Sequence, residues 1–236
     1  MNTDLAGILE QGAAVRPQLH RFLRDRIIRG DIAPGARISE SEIASAYAVS
    51  RQPVREVFIK LAEENLVEVR PQRGTFVSLI SIPAVLTARF VREAVEADIA
   101  HRLAGIADAA MLRRLDGCIA EQRALSCDSP GEEFMRLDEE FHRCLADLLG
   151  QAAVADHLEG LKIQMNRVRH ISTRQLSRSK LVAQHGDLVE AIRARDPRRA
   201  DIAMRTHLRE IIADLPGIVA AQGDCFAGAD ILETLS

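Results

Sequence analysis

Asp138 and His142 stand four residues apart in "RLDEEFHRCL", so a helix would place both on one face. His185 lies eleven residues before Asp196, and His207 eleven residues after it. Asp196-Pro197 breaks a helical pattern. If the flanking helices fold back as an antiparallel hairpin, the two imidazoles stand at the same height, roughly 16 Å from the turn at about 1.5 Å per residue. One carboxylate and three imidazoles would then converge inside a helical bundle. That donor set suits Zn²⁺, Ni²⁺ or a similar divalent ion, with coordination positions left open. The alternative is a polar pocket of hydrogen-bonded histidines.

A second candidate is Arg92, in "RFVREAVEADIA". At helical spacing it falls inside an apolar arc formed by Ala88, Val95, Ile99 and Leu103. A buried guanidinium needs an anion. Glu96, one turn on, is one choice. An incoming carboxylate, which Arg grips bidentately, is the other.

A third candidate is the stretch "AVSRQPVREVFIKLAEENLV" at residues 48–67. On a helical wheel Val54, Val57, Phe58 and Leu61 gather on one side, and Arg51, Gln52 and Arg55 on the other. Ser50 can cap this helix, and Pro53 is tolerated in its first turn. A recognition helix enters the major groove with its N-terminal residues foremost. Arg can then clamp guanine, and Gln can reach adenine or phosphate. The segment "LVEVRPQRGTFV" that follows alternates, turns at Pro71–Gly74 and alternates again, which reads as a hairpin. Its tip offers Arg73 and Gly74, a basic group and a glycine that allows close backbone approach.

The elements around these residues divide the chain in two. Helices are expected at about 17–29, 40–47 and 51–64, and with the hairpin they make a winged helix-turn-helix over residues 16–79, preceded by an N-terminal arm at 1–15. From Pro83 the pattern is helical throughout, with six helices near 83–107, 109–126, 131–149, 152–171, 177–195 and 198–214. Breaks fall at Ser129-Pro130-Gly131, at Gly150 and at Asp196-Pro197. The expected fold is mainly α, a winged helix-turn-helix followed by an all-α antiparallel bundle at 84–215, with a tail at 216–236. The helix at 84–107 carries two apolar arcs, Val85, Ala88, Val95, Ile99 and Leu103 on one and Leu86, Phe90, Ala94 and Ala97 on the other. One suits the bundle and the other a second subunit.

The net charge of −3 by itself argues against a nucleic-acid partner, but it is unevenly spread. Residues 16–80 carry eleven Lys and Arg against eight Asp and Glu, whereas residues 81–236 carry 20 against 24. The four cysteines, Cys118, Cys127, Cys144 and Cys225, form no Cys-x-x-Cys pair and are expected to be reduced. No apolar run reaches the ~18 residues of a membrane span, and the first fifteen residues lack the pattern of a signal peptide, so a cytoplasmic protein is expected.

The stretch "PGARISESEIASAYAVSRQPVREVFIKLAEENLVEVRPQRGTFV" closely resembles the DNA-binding domain of the GntR family of bacterial transcription regulators. The resemblance places DNA contacts on Arg51, Gln52, Arg55, Arg73 and Gly74. Ser41 stands where some relatives carry a DNA-contacting Arg, and Ala48 where the family turn usually has Gly. "RLDEEFHRCLADLLG", "AQHGDLVEAIRARD" and "RRADIAMRTHLREI" resemble the FCD ligand-binding domain of FadR-type members, and six helices rather than seven match the VanR-like branch. The family's metal motif falls on Asp138, His142, His185 and His207, and its effector-facing Arg on Arg92.

What this implies is a DNA-binding transcription regulator, a repressor in most relatives. It would be a homodimer on a short inverted repeat of double-stranded DNA, controlled by a small carboxylate bound near a metal. A regulator that senses the metal itself is the alternative. A metal-dependent hydrolase is disfavoured, since no His-Glu-x-x-His motif occurs and no free base accompanies the ligands.

Overall fold

The computed structural model describes residues 9–10, 12–125, 131–172 and 177–234. The expected N-terminal arm lies mostly outside these residues, as do Cys127, Ser129 and Pro130.

The N-terminal unit contains α1 (Val15–Arg29), β1 (Arg37–Ile38), α2 (Glu40–Ala46), α3 (Arg51–Glu63), β2 (Val67–Arg70) and β3 (Gly74–Val77). Leu19, Leu23 and Ile27 of α1 pack with Val54, Val57, Phe58 and Leu61 of α3 around one core. The three strands are antiparallel in the order β1-β3-β2, with Arg70 opposite Gly74 across the hairpin loop. The two-residue strand β1 has no periodicity to betray it in the sequence.

Two local features differ from expectation. Ser50 is extended at the start of α3, but its side chain makes no cap hydrogen bond. Ala48, in the turn between α2 and α3, takes φ 52, a left-handed conformation that glycine adopts without strain.

The remaining chain runs through β4 (Ile80–Ser81), α4 (Ile82–Ile106), α5 (Ala109–Ala124), α6 (Gly131–Leu148), α7 (Ala152–Ile171), α8 (Arg178–Arg193) and α9 (Pro197–Gln222). Asp108, Ser177 and Asp196 cap α5, α8 and α9 by accepting from backbone N–H groups. Leu103, Phe141, Leu188, Ile192 and Met204 centre the bundle core. On α4, Ala97 belongs to this core rather than to the outward arc, while Phe90 is 67 % exposed.

The chain beyond residue 215 is not a separate tail. The helix α9 continues through Pro216 to Gln222. A proline inside a helix costs about 3 kcal/mol. Leu215 and Ile218, buried against Ile82 and Val85, offset that at roughly 1.5–3 kcal/mol each. A further strand, β5 (Phe226–Ala227), then pairs in parallel with β4, Ile80 opposite Phe226.

A histidine cluster and a basic face

Four buried donors meet where α6, α8 and α9 face one another. Asp138 and His142 come from α6, His185 from α8 and His207 from α9, and one ligand atom of each lies within 4.8 Å of all the others. The hairpin of α8 and α9 therefore does bring its two histidines level. His207 Nε2 is 3.2 Å from His142 Nε2 and 3.2 Å from His185 Nε2. Donors sharing one ion at about 2.0–2.1 Å stand about 3.0–3.4 Å apart, so this spacing fits a common metal.

The opposite side of each ring decides which nitrogen carries the proton. His185 Nδ1 is 2.8 Å from Gln122 Oε1, and the Gln122 amide donates to the Leu137 carbonyl, which fixes its orientation. His207 Nδ1 is 3.1 Å from Gln184 Oε1, and the Gln184 amide donates to Glu210. His142 Nδ1 lies 2.7 Å from Glu96 Oε2. His185 Nδ1 and His207 Nδ1 each face an amide oxygen that can only accept, and His142 Nδ1 faces the Glu96 carboxylate at ion-pair distance, which leaves the three Nε2 atoms turned toward one another. Without a proton or cation between them their lone pairs repel. Ligand histidines in metal sites are oriented in this way.

Burial drives the His185 pKa down to about 3 and lowers that of His207 well below its ordinary value, so both rings are neutral and ready to coordinate. Burial alone would raise the Asp138 pKa, but the Arg169 cation outweighs it and holds the group ionised. Arg169 Nη2 lies 2.6 Å from Asp138 Oδ2.

Arg92 is buried as its apolar surroundings predict, and the structure pairs it with Glu96. Nε donates to Oε1 at 2.6 Å and Nη2 to Oε2 at 3.2 Å. Arg92, Arg169 and His207 also line a cavity of about 30 Å³ with Met165, Leu208 and Ile211. Gln122, Gln184 and Arg169 carry no signal in the sequence. Gln122 lies on α5, Arg169 on α7, and Gln184, next to His185 on α8, reaches across to His207 on α9, at distances in the chain that no periodicity marks.

The second candidate site is a basic face. Arg51, Gln52 and Arg55 are exposed in the N-terminal half of α3, and Arg73 is exposed at the tip of the hairpin. Acids stand among them: Glu40 meets Arg51 at 3.2 Å, and Glu56 holds both Gln52 and Arg16. Gly74 has φ 107, and an added Cβ would come within 3.1 Å of the Arg37 side chain. The glycine therefore also seats Arg37, a basic residue that the sequence reading passed over.

Two family models match: "Bacterial regulatory proteins, gntR family" over residues 17–77, and "FCD domain" over residues 88–210. The chain belongs to the GntR family. This GntR regulator is 36 % identical over 214 residues to the HTH-type transcriptional repressor RspR of Escherichia coli, covering 90 % of this chain and 94 % of that one. Among solved structures it resembles a putative GntR transcriptional regulator from Rhodococcus sp. RHA1, with a TM-score of 0.68, 26 % identity, and 86 % and 97 % of the two chains covered. Its fold is shared with E. coli McbR/YncC, with a TM-score of 0.69 at 17 % identity and coverage of 87 % and 98 %. As a GntR member with an FCD domain it is a DNA-binding transcription regulator and not an enzyme. No helix among the described residues is long and apolar enough to cross a membrane.

Proposed function

We propose that this regulator acts as a repressor. Its affinity for a short inverted repeat would be set by a small organic acid bound beside a divalent metal, Zn²⁺ or Ni²⁺, at Asp138, His142, His185 and His207. The observation that carries the metal reading is the convergence of three Nε2 atoms whose Nδ1 partners all sit on oxygen acceptors. When bound, the ion supplies a positive centre with open positions for a carboxylate or hydroxyl oxygen. Arg92 and Arg169 flank the cavity beside it and supply the remaining positive charge. Arg51, Gln52 and Arg55 would read base edges in the major groove, while Arg73 and Gly74 meet the backbone or the minor groove.

A two-fold dimer would present two such reading heads. The outward side of α4, where Phe90 is 67 % exposed and Ala94, one turn on, lines a groove of about 750 Å³ with Asp98, Arg102 and Asp201, is the surface proposed to meet the second subunit. Sedimentation of wild type and Phe90→Glu tests this. A wild-type monomer at micromolar concentration would refute it.

Metal analysis of purified protein, with a thermal-shift screen of hydroxy, keto and dicarboxylic acids, tests the rest. About one ion per chain and stabilisation by an acid are expected. An absence of metal, or stabilisation by neutral sugars alone, would refute the reading. A second reading, in which the metal itself is the signal, draws support from the cavity. At about 30 Å³ it has room for a water molecule rather than a multi-carbon acid. Metal that changes operator binding with no acid present would favour it.

A further inference from the structure

The helix α7 touches both halves of the molecule with opposite sides. Lys162 and Arg169 are seven residues apart and share one side. Lys162 pairs with Glu139, and Arg169 with Asp138 at 2.6 Å, so this side grips α6 at the histidine cluster. Ile163, Gln164 and Arg167 lie on the other side. Ile163 belongs to the apolar core of the DNA-reading domain. Gln164 Nε2 donates to the Asn65 carbonyl, just past the end of α3, at 3.4 Å. Arg167 Nη2 donates to the Ser78 carbonyl, just past the end of β3, at 2.6 Å, and Nη1 to Gln164 Oε1 at 3.1 Å. One helix therefore holds the backbone that leaves the reading helix and the backbone that leaves the wing.

The grip of Arg167 is unusual. The side chain is 1 % exposed, yet among the described residues no carboxylate pairs with it, and its Nε has no partner. Burial lowers its pKa to about 10. A buried cation held only by neutral acceptors is a costly contact that a small shift of α7 can release. Arg169, two residues on, is bound to a metal-ligand carboxylate. A divalent cation on Asp138 Oδ1, the oxygen that faces His185, would share the carboxylate with Arg169 on Oδ2 and so alter the hold on α7.

We propose that Arg167 is the positioning residue through which α7 passes the state of the histidine site to the DNA-reading domain. The metal dependence rests on the function proposed above, whereas the latch itself does not. The test uses the full chain as wild type, Arg167→Gln, Arg167→Lys and Gln164→Ala. Zn²⁺ affinity is read by chelator competition and operator affinity by fluorescence anisotropy with and without Zn²⁺. All four proteins should bind Zn²⁺ alike. Zn²⁺ should change wild-type operator affinity by roughly five- to 150-fold, the usual span of coupling between sites. Arg167→Gln should lose that response, and Arg167→Lys, which can still donate to Ser78, should keep most of it. A full response in both Arg167→Gln and Gln164→Ala overturns the proposal, and Gln164→Ala carries the test if Arg167→Gln does not fold. If wild type binds no Zn²⁺, the metal reading fails, and the latch is judged by metal-free protein. Arg167→Gln should then shift operator affinity severalfold and speed amide exchange across residues 65–79. No change in either overturns it.

Discussion

Gln122 ties His185 to the backbone beside Asp138: its Oε1 accepts from His185 Nδ1 at 2.8 Å while its amide donates to the Leu137 carbonyl at 3.1 Å. One side chain thus aligns two members of the cluster on different helices and fixes the tautomer of one. Replacing Gln122 with Leu should weaken metal binding by roughly ten- to hundredfold, as loss of such supporting hydrogen bonds does elsewhere. Chelator competition measures this directly. His185→Ala and His207→Ala should release the ion altogether and abolish the rise in melting temperature on adding metal. Metal affinity unchanged in Gln122→Leu would mean that the amide does not orient the ring.

Acid should destabilise the metal-free protein in two stages. Burial depresses the folded-state pKa of His185 to about 3 from an ordinary value near 6.5. Between these values the unfolded chain holds more protons, so stability is full above about 6.5 and is lost as pH falls toward 3. The hydrogen bond from Arg209, with those from Arg89 and Arg205, pulls Glu93 down to about 2 from 4.5, so its contribution disappears from below about 4.5 down to 2. Urea melts of chelator-treated protein from pH 8 to pH 4 should show a steady fall beginning near 6.5. A flat profile down to pH 5 would contradict the burial of neutral His185.

On the reading face, Arg51→Ala and Arg55→Ala should each cost about 1–3 kcal/mol and relax base preference, if each makes a bidentate base contact. Arg73→Ala should weaken binding evenly across sequences. Glu56 is held ionised by Gln52 and Arg16 on this face, where it repels phosphate. Glu56→Gln should therefore tighten binding and reduce its dependence on sequence. Anisotropy against an operator and a scrambled duplex separates these outcomes. Unaltered preference in both recognition-helix variants would remove α3 from the interface.

Ala48 stands at φ 52 on the surface, and the backbone there closes the end of α2 through Val49 N–H to the Ala44 carbonyl at 3.0 Å. Ala48→Gly should stabilise the protein by about 0.5–1 kcal/mol, since relief of the left-handed strain exceeds the added freedom of the unfolded chain. Thermal melting with an unchanged or lower midpoint would show that the turn is relaxed as it stands.

Arg92→Ala should cost about 3–5 kcal/mol, because it leaves the buried Glu96 carboxylate without its cation. Arg92→Met with Glu96→Gln, which keeps an oxygen beside His142 Nδ1, should recover most of that loss. A thermal-shift comparison of the three proteins distinguishes a structural pair from a group held in reserve for a ligand.

The convergence of Asp138, His142, His185 and His207 was legible because helical spacing and one Asp-Pro break determine where such residues point. The exposed side of α3 was legible because a thirteen-residue helix with one apolar side has only one way to face its core. What surrounds the ligands was not legible. Gln122 and Gln184 are glutamines on helices without any distinguishing pattern, and Arg169 looks like a basic residue in a last turn. Their roles exist only once α5, α7, α8 and α9 are packed. Pro216 misled for a related reason. A proline ends most helices, and only the burial of Leu215 and Ile218 against distant residues keeps α9 going.

The pairing of Ile80 with Phe226 brings residues far apart in the chain together at the joint between its two halves. On the ribosome the DNA-reading half emerges first and can fold as a unit. Its joint to the helical half cannot close until Phe226 and Ala227 have been made. A nascent chain short of residue 226 would therefore carry a folded reading head whose joint to the helical half is still open.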